Sequence, residues 1–585
     1  MTRQYSIALA LALASGVAGN AGAQQITDAH IRELIKEAAR QTAAGAQTTD
    51  AAQPAVGEPR PVVRLTLDDA VKFALDRNLD ISVQRLNPQI NDIAIASVRA
   101  LYRPALTSVV SQASVQGTPT SQLQVSQGGG GTNTQATNYN GGVAQSLPWG
   151  GGSFQVALNN SRGLSNSNNV LFNPQFSSTW TGTFVQPLLR NFRIDSTRQQ
   201  LQVAKINRDI SDVQLRSTIT NTLSNVRSAY WDYVFATEAV EVAQQSLDLA
   251  AKLVQDNQTR VEVGTMAPID VVQAQSEQAT RRQALVAAQS TKRTAELALK
   301  RLIVSGTSDP NWNATLDPVD RPDFQPINVD LEGAVRRALA DRTDLAIAKQ
   351  SLASNDVTLR FLQDQMKPQV DLQAQYGLAG VGGTFFERDL SSLGSIPKRV
   401  VPGGIGDAFD TLFRSQYPRW TVQFNVAYPL GLSSQQAAVA RARVQTNQVQ
   451  AQLKQIELQI ATDVTNAGIQ AQNNAEAVQA AHAASELAQK KLEAEQSKFE
   501  VGMSTNYFVV QAQRDLADAR NSELRAVANY RKALVELERL QQTTLQNLNI
   551  TVINAGGGNS STIRTTSTIG GAGGTGGPGG QGGGQ

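Results

Sequence analysis

Thirteen residues from Val263, VGTMAPIDVVQAQ, return in closely similar form from Val501 as VGMSTNYFVVQAQ, 238 positions later. Three further matches precede them in the same order. LDDAVKFALDRNLDI from Leu67 corresponds to LEGAVRRALADRTDL from Leu331, 264 residues on, and Arg103-Pro104 to Lys367-Pro368 at the same spacing. VQPLL around Pro187 corresponds to AYPLG around Pro429, 242 residues on. Four ordered matches make the chain a duplication, so it must fold as two like units. The fall from 264 to 242 places 22 extra residues in the first copy, between its two prolines.

Each copy carries a long helical pattern. After Pro187, apolar residues recur at three-four spacing through Val203, Ile206, Ile210 and Val213, then Ile219, Leu223, Val226, Tyr230 and Tyr233, then Ala236 to Val254. This is the seam of a coiled coil. A helix of about 60 residues reaches roughly 90 Å at 1.5 Å per residue. The second copy repeats the stripe with Leu453, Ile456, Ile460 and Val464. Gly264 and Gly502 then break these helices, since glycine accepts positive φ. A second helical run follows each break, and Pro268 and Asp270 suit the first turn of the new helix. The repeated stretches therefore read as the tips of two helical hairpins, each turning on its glycine.

Between the prolines the period becomes two. Val370, Leu372, Ala374, Tyr376 and Leu378 alternate with Asp371, Gln373 and Gln375; Trp420, Val422, Phe424, Val426 and Tyr428 alternate with Thr421, Gln423 and Asn425. In the first copy Phe176, Trp180 and Phe184 alternate with Ser177, Thr179, Thr181 and Thr183. Strands of about ten residues with one apolar face suit either a soluble sandwich or a membrane barrel. Trp180, Phe184, Tyr376, Trp420 and Tyr428 are candidates for an aromatic belt at the membrane interface. The segment 138–163 reads as an extra hairpin that either enters the sheet or decorates a loop.

Composition excludes much else. The 585 residues hold no cysteine and two distant histidines, His30 and His482, so a disulfide framework, a thiolate metal site and a catalytic triad are poorly supplied. A net charge of +3 without a basic stripe argues against nucleic acid. No nucleophile elbow or metal-spaced ligand set occurs, so an enzyme is not expected, nor a catalytic residue or cofactor. The start, MTRQYSIALALALASGVAGNAGAQQ, has a basic Arg3, an apolar stretch and Ala21-Gly22-Ala23, the plan of a secretory signal peptide. No later run reaches the roughly 18 apolar residues of a spanning helix, so membrane entry must be by strands.

These readings divide the chain. Residues 1–23 are a signal peptide, 24–62 a tether, 63–305 the first repeat, 306–330 a connector, 331–549 the second repeat and 550–585 a Gly-rich disordered tail. Helices are expected over 67–102 and 331–366. Strands are expected over about 106–186 and 369–428, with a loop at 379–418. Helical hairpins are expected over 195–303 and 434–548, with tips at 263–268 and 501–506. Four to six strands cannot seal a barrel alone, and an open edge cannot face lipid. Several copies must pool them above a helical tube.

The signal peptide, the proline-flanked strands, the VQPLL turn and the two tips resemble the TolC-type outer membrane efflux proteins, over about Leu65 to Asn549. The resemblance implies an α+β membrane protein with two structural repeats. Its hairpins would form an α-barrel tunnel, and its strands would join a shared trimeric transmembrane β-barrel of twelve strands. It implies an outer membrane exit duct of a tripartite efflux or type I secretion system. The expected partners are two further copies, outer membrane lipid, a periplasmic adaptor and, through it, an inner membrane pump. The family's docking grooves map to Val263, Gly264 and Thr265 and to Val501, Gly502 and Met503; Met503 departs from the usual small polar residue. Gate candidates are Asp270, Phe499, Phe508 and Gln511, the last two standing where the family often has an acidic ring. Pro104, Pro187, Pro368 and Pro429 mark the helix–strand transitions. The rival reading is a trimeric coiled-coil surface protein anchored by a small β-barrel.

Overall fold

The computed structural model describes residues 61–118, 132–167, 170–321, 324–387, 397–428, 430–431, 433–552 and 563–565. The expected signal peptide, nearly all of the tether, Pro429 and most of the Gly-rich tail lie outside the described residues.

In chain order, β1 (Val62–Leu65) leads into α1 (Leu67–Arg77), α2 (Leu79–Gln84) and α3 (Leu86–Ala100). Four strands follow: β2 (Ala105–Gln116), β3 (Asn133–Ser146), β4 (Ser153–Ser165) and β5 (Phe172–Pro187). The first hairpin is α4 (Ser196–Glu262) and α5 (Pro268–Ile303), and the connector holds α6 (Pro310–Asn313) and β6 (Thr315–Pro318). The second repeat runs through α7 (Leu331–Asp341), α8 (Thr343–Gln365), β7 (Gln369–Glu387), β8 (Arg399–Val401), α9 (Ile405–Phe413) and β9 (Pro418–Ala427). It closes with the hairpin α10 (Ser434–Glu500) and α11 (Asn506–Leu540), then α12 (Thr544–Asn547), β10 (Ile550–Val552) and β11 (Ile563–Thr565).

Equivalent residues start equivalent helices. Thr66 accepts from the Asp69 N–H at 3.1 Å to open α1, and 264 positions on Asp330 accepts from the Gly333 N–H at 3.1 Å to open α7. Asp195 and Ser433, 238 apart, accept from Arg198 (2.8 Å) and Gln436 (3.3 Å) to open the two 67-residue helices α4 and α10. Each supplies an acceptor to an N–H that the helix itself leaves unpaired.

Several expectations are corrected. The single helix expected over 67–102 is three, and that over 331–366 is two. Asn78 (ψ 128°) and Arg342 (ψ 132°) are extended at the same place in each repeat, and Asn78 caps α2 through Asp80 and Ile81. The stretch 379–418 is not one loop. β7 continues to Glu387, β8 pairs with it at 385–387, and α9 lies against it. The alternation faded from the sequence there because Gly380 and Gly382 replace side chains: a Cβ on Gly380 would sit 1.9 Å from the Ala408 carbonyl oxygen. The expected tether and connector meet at their inner ends, where β1 pairs in parallel with β6. The tail begins with a short antiparallel pair, β10 with β11.

The open alternative is settled in the sheet. β2, β3, β4, β5 and β7 form an antiparallel meander in that order, and β9 pairs with the far edge of β7. The segment 138–163 supplies most of β3 and β4, so it belongs to the sheet. The helices α3, α4, α8 and α10 pack side by side in that order below the strands they adjoin.

The main core lies where α4 crosses the small elements. Leu215, Ile219, Leu223, Val226, Tyr230 and Tyr233 of the α4 stripe are buried against Leu65, Ala70, Leu75, Leu299, Ile303 and Leu316. A second core joins Ala334, Ala338, Leu345, Ile460, Val464, Leu537 and Leu540. Two tyrosine hydroxyls anchor the parallel strand pair: Tyr233 donates to the Leu316 carbonyl, and Tyr230 stands 3.0 Å from the Leu65 carbonyl and 2.8 Å from the Asp320 carboxylate. Replacing Tyr230 with Phe removes this bridge while the Val319 and Leu67 N–H groups still serve the two acceptors, at a cost of about 0.5–1.5 kcal/mol. The expected outcome is a lower unfolding midpoint for Tyr230→Phe in detergent, with helical content unchanged at low denaturant.

Candidate functional site: the paired hairpin tips

The two tips end in the same hydrogen-bonded motif. In the first, the Gly264 N–H reaches the Val261 carbonyl (3.0 Å) and the Thr265 N–H the Arg260 carbonyl (2.8 Å). In the second, Gly502 reaches Phe499 (3.2 Å) and Met503 reaches Lys498 (2.8 Å). This is a Schellman cap, which needs a left-handed residue after the helix. Gly264 has φ 77° and Gly502 φ 78°, and no atom lies within 4 Å of where their Cβ would stand. Conformation alone therefore selects glycine here. The turn is not a bare glycine bend: five residues separate the helices in each hairpin.

The expected docking residues sit at the outer surface of the tips. Val263 is 71%, Val501 70% and Met503 79% exposed, and Gly264, Thr265 and Gly502 are also exposed. Beside the second tip a cavity of about 360 Å³ is bounded by Glu495, Lys498, Met503, Ser504 and Phe508. Its charged wall is fixed, because Glu495 accepts from Lys498 (2.7 Å) and Ser504 (2.8 Å).

The gate candidates separate. Phe508 is exposed and meets Tyr507 edge-on at 5.6 Å, an aromatic neighbour that periodicity did not single out. Phe499 packs inside the chain with Leu253, Ala274 and Val509, and the Arg260 guanidinium covers its ring at 4.4 Å. Asp270 is half-buried in the first turn of α5, and its carbonyl accepts from the Asn506 side chain at 3.2 Å. Gln511 is half-buried and donates to Asp515 at 2.8 Å.

Asn506 stands where the first repeat has Pro268, and this divergence ties the tips together. Its amide accepts from the buried Asn257 at 2.9 Å while donating to Asp270, so it links α4, α5 and α11. Further up, Glu277 of α5 is buried and accepts from Arg281 (2.7 Å) and from Arg514 of α11 (Nε, 3.0 Å). Burial pushes the Glu277 carboxyl up, but the hydrogen bonds from Arg514 and Arg281 outweigh it and hold it below the ordinary glutamate range. None of these inter-repeat contacts has a sequence signature, since the partners lie more than 230 residues apart.

The aromatic candidates gather on one face of the sheet. Trp180 and Tyr376 meet edge-on at 6.3 Å, and Tyr376 is opposite Trp420. Phe184 lies nearer the helices, opposite Ala374, and Tyr428 follows the end of β9. β5 and β7 outrun the expected strands, so Trp180 and Tyr376 fall within them and not at their ends. Pro104 precedes β2, Pro187 ends β5 and Pro368 precedes β7.

With this geometry in view, likeness to known proteins is informative. A family model described as outer membrane efflux protein matches residues 153–304 and 334–541. Among solved structures, CusC is 14% identical with a TM-score of 0.59, covering 83% of this chain and 95% of its own. The outer membrane channel OprN is 16% identical (TM-score 0.58; 81% and 89%). The Campylobacter jejuni outer membrane channel CmeC is 13% identical (TM-score 0.57; 81% and 85%). At such identities the structures speak for the fold alone. None of the curated proteins compared matches the chain.

Two outcomes are expected at the tips. Gly264→Ala and Gly502→Ala each force an L-residue into the left-handed region, at a cost of about 1–2 kcal/mol, read as faster protease nicking at the altered tip. The Glu277 carboxyl has a depressed folded-state pKa, so its stabilising contribution is full above the ordinary glutamate value and disappears only as pH falls through the folded one. Tip nicking is therefore expected to be flat over roughly pH 5–8 and to rise below that range, while Glu277→Gln is expected to lose the acid dependence.

Proposed function

The chain belongs to the outer membrane efflux protein family, and from that premise we propose that it is a passive exit duct, through which cargo leaves across the periplasm and the outer membrane. Three copies pool their strands into one barrel in the outer membrane. Their helices continue it as a tunnel of roughly 100 Å, the length of 67 residues at 1.5 Å each. The observation that carries this reading is a sheet with an exposed apolar face and two edges that are unpaired among the described residues, on the same chain as two 67-residue helices. In hydrocarbon such edges must be paired, and copies of the same strands are the available partners.

The duct performs no covalent chemistry; work comes from an inner membrane pump, coupled through a periplasmic adaptor, in a tripartite efflux or a type I secretion system. The exposed Val263, Val501 and Met503 and the cavity bounded by Glu495, Lys498 and Phe508 suit the adaptor. The Schellman turns hold these apolar side chains outward, where they gain burial only when a partner covers them. Phe508, with Tyr507, takes the place of an acidic ring at the constriction. Opening requires the hairpins to part, and the Arg514–Glu277 tie spans them.

Reconstitution tests the duct. Purified protein in planar bilayers is expected to show discrete conductance steps, small in the wild type and larger by several-fold in Arg514→Ala. A protein that inserts without conducting, in both forms, would favour the surface-stalk reading. Because the chain has no native cysteine, Thr265→Cys carries a single crosslinker, and a specific adduct to a periplasmic adaptor is expected at that tip.

A further inference from the structure

The duplicated unit by itself supplies two strands per copy, but the described residues hold six long strands. β2 has 12 residues, β3 14, β4 13, β5 16, β7 19 and β9 10. Each meets the roughly 9–11 residues that a tilted strand needs to cross a membrane. The two beyond the duplicated plan are β3 and β4, inserted between β2 and β5.

Three observations place them in the membrane wall. Their ladders are continuous, with β3 paired to β2 over 105–116 and β4 paired to β5 from Ser153↔Val185 to Gly163↔Gln175. Their outer face carries on the apolar surface in part: Phe154, Phe184, Ala374 and Val422 form one cross-strand row that ends at Gln145 of β3, and Val156, Gly182, Tyr376 and Trp420 form the next, which Val143 of β3 and Leu106 of β2 extend. Their turn stands on the helical layer. Gln186 donates to the Gly150 carbonyl at 2.7 Å, Gln145 donates to the Tyr102 carbonyl at 3.0 Å, and a Cβ on Gly151 would lie 2.4 Å from the Asn191 carbonyl oxygen.

We infer that three copies close a barrel of eighteen strands, six from each, rather than twelve; the inference rests on the trimeric duct proposed above. An even number per chain makes the seam antiparallel, because β2 leaves the helical layer and β9 of the next copy returns to it. The β2 edge is built to be covered. β2, ALTSVVSQASVQ, has none of the charges or prolines that protect a free edge. The occupant is a second copy, because each edge has the complementary direction and a length close to the other's.

The helical layer agrees. Four helices packed about 9 Å apart occupy an arc of roughly 36 Å per chain. Strands about 4.8 Å apart, tilted by about 40°, each take about 6 Å of circumference, so six fill roughly 37 Å and four only about 25 Å. Six strands sit flush on the tunnel. Barrel width grows nearly in proportion to strand number, so the exit is about half again as wide as a twelve-stranded one. The face opposite the aromatics carries Thr179, Thr181, Thr183, Gln373, Gln375 and Gln423. The same face also carries Asp371 and Arg419, so the lining joins hydroxyls and amides to charges of both signs.

The cysteine-free chain makes the test direct. The full-length protein in detergent is weighed and imaged by electron cryomicroscopy, and two disulfide pairs are introduced at Cα partners, Ser111→Cys with Asn138→Cys and Ala157→Cys with Thr181→Cys. Leu106→Cys is also combined in turn with Val422→Cys, Phe424→Cys and Val426→Cys across the seam. The expected result is a trimer with eighteen strands, intrachain disulfides from both pairs, and a seam pair that shifts the non-reducing gel band to three times the monomer mass. A trimer with twelve strands and no disulfide in either pair would overturn the inference and leave the duct standing. An assembly that is not a trimer would overturn both.

Discussion

A strand edge exposed to hydrocarbon has nowhere to place its N–H and C=O groups except on another strand, and this requirement organises the chain. One copy presents such an edge on β2 and another on β9. Hydrophobic burial alone does not demand closure, because lipid satisfies apolar side chains well. The backbone demands it. The apolar outer face then needs no partner of its own, which is why side chains as large as Trp420 and Phe424 remain exposed in the isolated chain.

Duplication supplies the same local devices twice, and the devices are mostly caps. Thr66 and Asp330 start one pair of helices, Asp195 and Ser433 another, and Gly264 and Gly502 end the long ones. A helix can be repeated by copying its seam, but its length and exit direction are set at its ends. The copies diverge where they must meet. Pro268 became Asn506, or the reverse, and only the asparagine can bridge to the other hairpin. The insertion of β3 and β4 is a divergence of the same kind, in the membrane layer.

The parts legible in the sequence were those governed by period and by glycine or proline. The α4 stripe, the hairpin tips and the alternation in β7 and β9 all write their geometry into neighbouring residues. What escaped was set by distant contacts. β3 carries Gly141, Gly142, Asn138 and Asn140 beside few apolar residues, so its alternation is faint until the register with β2 and β4 is known. The far half of β7 hid behind Gly380 and Gly382, whose vacant faces are filled by the backbone of α9. At the tip, Phe499 is a gate candidate by resemblance, but it packs inside with the guanidinium of Arg260, from the other repeat, over its ring. The Glu277–Arg514 tie joins residues 237 apart, and neither reports the other.

Apolar burial is also distributed unevenly along the helices, and this bears on how a tip can open. The large core gathers at the middle of α4, where α1, α2, β1 and β6 press on it. Near the tips, apolar burial breaks into two small clusters, Leu253, Ala274, Phe499 and Val509 and, beside it, Leu492, Ala512 and Leu516, and polar ties join them: the Asn257–Asn506 amide pair and the Glu277 carboxylate. Polar ties depend on geometry and are lost abruptly when partners shift, whereas apolar contacts yield gradually. A helix pair anchored firmly above and tied by a few hydrogen bonds below opens from the free end first. The exposed valines and Met503 at that end then give a partner the apolar surface with which to offset the broken ties.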